Sequence, residues 1–332
     1  MGWSGNLTSG SAPGSAITFT PDTTTMGGYT VSSFTAPKKG IYKFTLKGSG
    51  GATGDSSRTG RAEGGEGGLT TGYLLLESGA KVYVGAGGPC SAAFVSSSTG
   101  TALSAVTQAN LYFVAGAGGQ GGASGGKYQK VSVGGAGGGT TGADGATITS
   151  GTNSYAGGRG GTQSSGGSGG ALPSSDSLGG AGNKGAYGVG GGGAYYNNDG
   201  ISANSGRGGD GYYGGGSGGA AAHGETGYAL GGGGGSGYVK TASLSVAGKT
   251  YASATQQGGG AAAGARGSVI VTYYALAELP VRFNGTQLTK LIFNGTEVKS
   301  LIYNGQTIFA RRWAACLRYL AGRFGFPAGT PA

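Results

Sequence analysis

The chain of 332 residues contains 84 glycines, about a quarter of its length, while only 10% of its residues are charged and its formal net charge is +10. This low charge content, together with 36% hydrophobic residues and 19 tyrosines, excludes an ordinary charged disordered segment. Only eight prolines are present and glycine follows no strict every-third-residue register, which excludes a collagen triple helix.

Residues 1–15 are predicted to form an N-terminal arm. The opening "MGWSGNLTSGSAPGSA" has neither the basic region nor the apolar region of a secretory signal, and no run of about 18 apolar residues follows anywhere. We therefore expect no export through a secretory signal and no membrane span.

Short β-branched and aromatic runs bounded by Gly, Pro and Asp predict strands within residues 16–48. The alternation of Tyr42, Phe44 and Leu46 indicates that one face of its strand is buried. Further strands are predicted within 69–79, 80–88, 110–119 and 266–276. The unbroken apolar centre of the last run indicates a central or doubly covered strand. These strands together predict an all-β protein built on a β-sandwich.

Six glycine-rich blocks lie between the predicted strands, at 114–126, 134–145, 157–170, 179–193, 206–219 and 231–237. Glycine within a regular element costs about 0.5–1 kcal/mol relative to alanine, so this many glycines need a compensating role. Extended glycine helices with three residues per turn lack internal hydrogen bonds and side chains, so they can pack closely and bond to one another. We predict such packed polyglycine helices; flexible linkers are the alternative.

Paired tyrosines beside amide and carboxylate groups interrupt these blocks in "AYYNNDGISANSG" and "GDGYYGGGSGG". Aromatic rings suit the C–H faces of sugars and the polar groups suit sugar hydroxyls. We expect these stretches to be loop tips, where binding residues concentrate on a rigid scaffold. The alternative is local packing of the tyrosines over helix ends. The predicted glycan-binding residues are Tyr195, Tyr196, Asn197, Asn198, Asp199, Tyr212 and Tyr213.

Residues for catalysis or metal binding are sparse. The single histidine, His223, lies in a glycine-rich loop, and nothing places Asp199 and Asp210 at the fixed separation that glycoside hydrolysis requires. Cys90 and Cys316 are 226 positions apart and form neither a disulfide framework nor a metal motif. We therefore expect a non-enzymatic protein with no catalytic residues, no metal and no cofactor.

Asn-Gly dipeptides recur every ten residues in "VRFNGTQLTKLIFNGTEVKSLIYNG", residues 281–305. Asn-Gly supplies the positive φ angles that a two-residue type I′ turn needs, so each repeat predicts a hairpin. The apolar residues of the repeats form one row, to be covered either around the axis of a homotrimer or by the protein's own glycine-rich domain. The predicted structural turns are Asn284, Gly285, Asn294, Gly295, Asn304 and Gly305.

Basic residues dominate after position 281, where seven Lys and Arg accompany only Glu297. They suit an anionic wall polymer or an acidic neighbouring protein; nucleic acid is not expected because no nucleic-acid-binding motif accompanies them. Trp313, Leu317, Leu320 and Phe324 share one helical face. The tail is thus either a short helix or disordered. We predict an arm at 1–15, a glycine-rich domain at 16–275, a β-hairpin repeat module at 276–312 and a tail at 313–332.

Several stretches resemble the glycine-rich domains of phage tail proteins and of the anaplastic and leukocyte receptor tyrosine kinases. They are "FTAPKKGIYKFTLKGSGG", "NLYFVAGAGGQGG", "GGGGGSGY" and "GARGSVIVTYY", spread over residues 34–274. The resemblance implies a jelly-roll-like β-sandwich with inserted polyglycine II helices. The "FNGT" repeats resemble C-terminal repeats of phage virion proteins, whereas a kinase region and paired cysteines are missing from the sequence.

The resemblance therefore implies a virion protein of the distal phage tail or fibre that attaches to host-surface polysaccharide. Such a protein is assembled with other tail proteins in the host cytoplasm and released by lysis. The alternative is a purely structural decoration or head-fibre protein of the virion.

Overall fold

The computed structural model describes residues 2–173, 179–198, 200–240, 242–246 and 249–275, with six short strands between 282 and 310. The chain divides into two compact units, 1–275 and 276–332. Apart from two single 3-10 turns, Leu103–Ala105 and Gln108–Asn110, the regular structure of these described residues is all β. None of them forms a helix long and apolar enough to cross a membrane.

The described residues of the first unit form 23 strands, most of them short. They are β1 (Trp3–Ser4), β2 (Ala16–Phe19), β3 (Tyr29–Thr35), β4 (Gly40–Lys47), β5 (Gly60–Arg61), β6 (Gly68–Leu76), β7 (Lys81–Gly87), β8 (Ala93–Ser96), β9 (Leu111–Ala115), β10 (Ala123–Gly125), β11 (Tyr128–Val131), β12 (Ile148–Ser150), β13 (Asn153–Tyr155), β14 (Gly179–Gly180), β15 (Tyr195–Asn198), β16 (Ile201–Asn204), β17 (Ala220–His223), β18 (Thr226–Ala229), β19 (Tyr238–Val239), β20 (Ser243–Val246), β21 (Lys249–Ala252), β22 (Ala254–Gly259) and β23 (Ser268–Ala275).

Two antiparallel sheets hold the main hydrophobic core. One has six strands in the order β1-β2-β23-β4-β6-β22, and the other has five in the order β19-β9-β8-β7-β3. The predicted alternation in β4 is confirmed, since Tyr42, Phe44 and Leu46 are fully buried. Strand β23 is central, as predicted, and lies between β2 and β4. Its buried residues alternate with partly exposed ones, so only one of its faces is fully covered.

Aromatic side chains from both sheets meet in this core. Phe44 of β4 lies 6.2 Å, between ring centroids, from Phe113 of β9, and Phe34 of β3 packs edge-on against Tyr42 at 5.4 Å. Fully burying a side chain of this size stabilises the fold by about 1.5–3 kcal/mol. This core therefore anchors the glycine-rich segments, which contribute few apolar side chains of their own.

Backbone hydrogen bonds join the glycine-rich segments to one another with a period of three residues. In residues 117–122, consecutive amides donate to three different neighbouring segments, and the same three neighbours recur after three residues. Ala117 donates to Asp210 and Gln120 to Arg207. Gly118 donates to Ser49 and Gly121 to Ala52. Gly119 donates to Gly135 and Gly122 to Ser132, and all six N–O distances are 2.8–3.0 Å. Each segment thus obtains its backbone partners from its neighbours rather than from itself.

Residues 231–235 occupy the middle of this arrangement. Their amides and carbonyls bond to six other stretches of chain, which are 117–120, 132–138, residue 143, 158–161, residue 209 and residue 216. A Cβ atom added to any of these five glycines would lie 2.0–2.2 Å from a neighbouring carbonyl oxygen. No side chain fits at these positions without moving the neighbouring backbone, which explains why the sequence has glycine at all five.

Small sheets stand at the edges of the glycine segments. One has the antiparallel order β15-β16-β10-β5, and another has the order β11-β18-β17-β14, with β11 and β18 parallel. The stretch 195–204 was expected to be a loop tip. It is instead a hairpin of β15 and β16, in which Asn198 is the Cα partner of Ile201. This hairpin positions the candidate functional site.

In the second unit, the residues that the structure describes form three antiparallel strand pairs. They are β24 (Arg282–Phe283) with β25 (Thr286–Gln287), β26 (Ile292–Phe293) with β27 (Thr296–Glu297), and β28 (Ser300–Tyr303) with β29 (Gln306–Ala310). Each pair leaves two residues between its strands, as a two-residue turn requires. The turn residues Asn284, Gly285, Asn294, Gly295, Asn304 and Gly305, and the tail 313–332, lie outside the described residues.

Candidate functional site

Four residues form a row across the sheet β15-β16-β10-β5. Tyr195 is the cross-strand partner of Asn204, Asn204 of Ala123, and Ala123 of Arg61. Directly paired residues point to the same side of a sheet, so these four side chains share one face. Ala123 is buried, whereas Tyr195 is 55% exposed and Arg61 is also exposed.

A turn at residues 55–58 contributes two further polar side chains. Its sequence "DSSR" places Asp at the first position of the turn, where its side chain can bond to the backbone two residues ahead. The Ser57 amide donates to Asp55 Oδ1 at 2.9 Å, and the Arg58 amide donates to the Asp55 carbonyl at 3.2 Å. The hydrogen bond from Ser57 is the largest cause that lowers the pKa of Asp55 below its ordinary value, so this carboxylate is ionised at neutral pH.

Both polar side chains of this turn contact the sheet. Asn204 Nδ2 donates to Asp55 Oδ2 at 2.9 Å, and Arg58 Nη1 donates to Ser202 Oγ at 2.7 Å. The Arg58 guanidinium carbon also lies 6.0 Å from the ring centroid of Tyr195, in cation–π range. We call the surface formed by Tyr195, Asn204, Arg61, Asp55 and Arg58 the Tyr195 face.

An open groove of about 560 Å³ adjoins the Tyr195 face. Asp55, Arg61 and Asn204 line it, together with Gln120 and Ser205. The groove therefore offers carboxylate, guanidinium, amide and hydroxyl groups, and Asn204 connects it to the exposed Tyr195 ring on the same side of the sheet. This combination can hold a polyhydroxylated ligand by hydrogen bonding and stacking, because each sugar presents hydroxyls at its rim and C–H groups on its face.

The predicted residues of the first tyrosine stretch divide between the two sides of the sheet. Tyr195 and Asn197 share the exposed side, whereas Tyr196 points to the other side and packs against Ala203, Ala220 and Ala229. Asn198, also predicted, lies on the same side as Tyr196. Asp199, the fifth predicted residue, lies outside the described residues.

Tyr212 and Tyr213 lie in a different cluster. The Tyr212 ring stacks on Tyr238 with centroids 4.2 Å apart and meets Tyr187 and Tyr213 edge-on. The Tyr187 hydroxyl donates to the Val106 carbonyl, and Gln108 Nε2 donates to the Tyr213 hydroxyl at 3.3 Å. Burial raises the pKa of Tyr187 to about 12. These rings largely contact one another, which is the local packing considered as the alternative above.

Sequence reasoning missed Asp55, Arg58, Arg61 and Asn204 as site residues. The first three are more than 130 positions from the tyrosine stretch, and only the sheet pairing brings them to Tyr195. One signal was present in the sequence: Asp199-Gly200 between two short β-prone runs is a two-residue hairpin pattern. Reading the stretch as a hairpin would have assigned Tyr195 and Asn197 to one side of the sheet and Tyr196 and Asn198 to the other.

A buried charged network lies elsewhere in the first unit. Asp210 is fully buried, and its carboxylate accepts hydrogen bonds from Tyr29, from the Gly190 amide and from Arg207. Burial outweighs the attraction of Arg207 and raises the pKa of Asp210 to about 6. Burial also raises the pKa of the nearby Cys90 thiol to about 11. This thiol is therefore protonated at neutral pH.

The remaining candidates for chemistry are dispersed. His223 is exposed at the end of β17, and Cys316 lies outside the described residues. Within the part of the chain that the structure describes, no group of three or more His, Cys, Asp or Glu residues is arranged to hold a metal ion.

Comparison with models of known protein families gave no match to this chain. Comparison with curated proteins likewise gave no significant match.

Proposed function

We propose that this protein is a non-enzymatic bacteriophage virion protein of the distal tail or fibre that attaches the particle to a host-surface polysaccharide. The observation that carries the proposal is the Tyr195 face, where an exposed ring shares one side of a sheet with polar groups, three of which line a groove. The resemblance of the glycine-rich stretches to phage tail proteins supports the virion setting. Assembly in the host cytoplasm and release by lysis belong to the same proposal.

The glycine segments, in this proposal, are polyglycine II helices inserted into a jelly-roll-like β-sandwich. The three-residue period of the hydrogen bonds supports this assignment, because a polyglycine II helix has three residues per turn and no internal hydrogen bonds. The lack of room for a Cβ atom at residues 231–235 supports it as well. The shared core of the six- and five-stranded sheets supports the sandwich.

The hydrogen-bonded glycine segments suit a protein that attaches to a surface. Each segment is hydrogen-bonded to several neighbours, so the hairpin of β15 and β16 is attached to a rigid scaffold. A preorganised site loses less conformational entropy on binding than a flexible one. The glycine segments would thus hold the Tyr195 face in its binding geometry.

The C-terminal unit is proposed to make a homotrimer through the apolar row of its hairpins, with covering by the protein's own glycine-rich domain as the alternative. Each homotrimer would present three Tyr195 faces, which would raise its avidity for a polymer of repeating units. Other tail proteins are the expected neighbours in the particle.

A microarray of bacterial surface polysaccharides tests the proposal. We expect the wild-type protein to bind a subset of the polysaccharides and the Tyr195→Ala variant to lose most of that binding. Tyr128→Ala is the matched control, because Tyr128 is 54% exposed and also lies beside a cation, Lys127. Equal binding by the Tyr195→Ala variant and the control would place attachment elsewhere. A wild type that binds none of the polysaccharides would favour a structural decoration protein.

A further inference from the structure

The Tyr195 face has two arginines but only one carboxylate, and these charged groups differ in how many partners they have. Neither Arg58 nor Arg61 has an ion-pair partner within 4 Å among the described residues. Arg58 donates from Nη1 to Ser202, while its Nε is buried without a hydrogen-bond acceptor. Asp55, in contrast, already accepts hydrogen bonds from Ser57 and Asn204. The face therefore holds two guanidinium groups without an ion-pair partner within 4 Å and one carboxylate that is already hydrogen-bonded.

The exposed guanidinium lies in line with the exposed ring. Tyr195 and Arg61 occupy the two outer strands of the sheet, with Asn204 and Ala123 between them. Three strand spacings separate them, or about 14 Å along the row. An extended chain of several sugar rings can span this distance, whereas a single sugar cannot contact both residues.

We propose that the ligand of the Tyr195 face is an acidic saccharide chain, bearing carboxylate or phosphodiester groups. This inference rests on the function proposed above. Arg61 binds the acidic group, Tyr195 stacks on the C–H face of a sugar, and Asn204 with Asp55 hydrogen-bonds hydroxyls in the groove between them. Arg58 orients the Tyr195 ring and offsets the charge of Asp55.

Guanidinium chemistry favours an acidic ligand over a neutral one. The planar fork of arginine matches the two oxygens of a carboxylate or phosphate, and hydrogen bonds between charged partners are stronger than neutral ones. An isolated arginine on a protein surface does not by itself indicate an acidic ligand. Arg61 differs because it lines the groove and shares a row with the exposed ring and amide.

Binding to defined polymers by calorimetry tests the inference. The probes are polygalacturonate, its neutral methyl ester, a polymer of N-acetylglucosamine joined by phosphodiesters, and polyglutamate. We expect polygalacturonate or the sugar phosphodiester polymer to bind about tenfold more tightly than the methyl ester. Comparing those two polymers distinguishes carboxylate from phosphodiester recognition. Polyglutamate, which has carboxylates but no sugar rings, is expected to bind at least tenfold more weakly than the preferred polymer.

Two charge-removing variants complete the experiment. Arg61→Gln should abolish the preference for the acidic polymer, while Lys81→Gln, which removes an exposed cation at the start of β7, should keep it. Equal loss in both variants would indicate general charge attraction and overturn the inference. Equal binding of the acid and its ester would also overturn it, yet leave glycan attachment intact. Wild type that binds none of the probes overturns it too, and the polysaccharide array then reports separately on attachment.

Discussion

Arg207 Nη2 lies 2.7 Å from Asp210 Oδ1, and this ion pair joins two residues only three positions apart within a glycine-rich segment. Both residues also use their carbonyls as acceptors for the neighbouring segment, from Gln120 and Ala117. The Asp210 carboxylate further binds Tyr29 of β3 and the Gly190 amide. One buried acid thus ties the five-stranded sheet to three glycine-rich segments.

The first prediction concerns the pH dependence of this network. The pKa of Asp210 rises from 3.8 to about 6 on folding, so the folded protein holds the proton more tightly than the unfolded chain. The resulting stability is present below pH 3.8 and is lost as the pH rises through 6. Between pH 4 and pH 7.5 the loss amounts to about 2 kcal/mol in the free energy of unfolding.

Urea denaturation of the wild type and of Asp210→Asn at both pH values measures this effect. The difference between the two proteins isolates Asp210 from groups such as Asp55, whose pKa is lowered by folding and whose effect on stability has the opposite sign. Tyr29 and Cys90 face Asp210, and burial raises the pKa of each, so both stay protonated over this range. Identical pH profiles for the two proteins would show that Asp210 does not titrate as predicted.

The second prediction concerns two adjacent glycines. A Cβ atom on Gly191 would lie 2.2 Å from the Asn183 carbonyl oxygen, whereas a Cβ atom on Gly192 would meet nothing within 4 Å. Neither residue has a positive φ. We expect Gly191→Ala to lower the free energy of unfolding by about 1–3 kcal/mol, since the neighbouring backbone must shift.

Gly192→Ala is the matched control and should raise the free energy of unfolding by about 0.4–1 kcal/mol, because alanine restricts the unfolded chain. Thermal unfolding of the two variants, followed by circular dichroism, gives the comparison. Equal stability of the two variants would mean that the glycine segments are packed less closely than their hydrogen bonds indicate.

The third prediction concerns the hairpin of β26 and β27. Asn294→Pro combined with Gly295→Val removes the positive φ angles of a type I′ turn, so Ile292–Phe293 and Thr296–Glu297 no longer pair. If the apolar row forms a trimer axis, sedimentation should show a trimeric wild type and a smaller species for this double variant, with the first unit still folded. A wild type that is monomeric at micromolar concentration would contradict the trimer.

The sequence predicted much of the two large sheets because their strands carry local signals. Tyr42, Phe44 and Leu46 alternate with partly exposed residues. The buried face of β4 could therefore be predicted from the two-residue period of its apolar side chains. The same reasoning located the strand within 266–276 as central. Side-chain periodicity is absent from the glycine blocks, so the sequence indicated packing there without indicating which segments are neighbours.

The candidate site was only partly predictable. Tyr195 was found because paired tyrosines beside Asn and Asp form a local sequence pattern. Its companions Arg61 and Asp55 come from a distant part of the chain, and their position depends on β5 and β10 pairing with the hairpin. Such pairing between strands of two or three residues leaves no periodic trace in the sequence, since strands this short are set by tertiary contacts.

The crystal structure of the protein with a bound trisaccharide, cut from whichever acidic polymer it binds more tightly, tests most directly whether the Tyr195 face is the attachment site. We expect one sugar ring to lie against the Tyr195 ring and an acidic group of the trisaccharide to contact the Arg61 guanidinium, with hydroxyls bonded to Asn204 and Asp55. A trisaccharide bound at the cluster of Tyr212 and Tyr213, or at no place on the protein, would contradict this account.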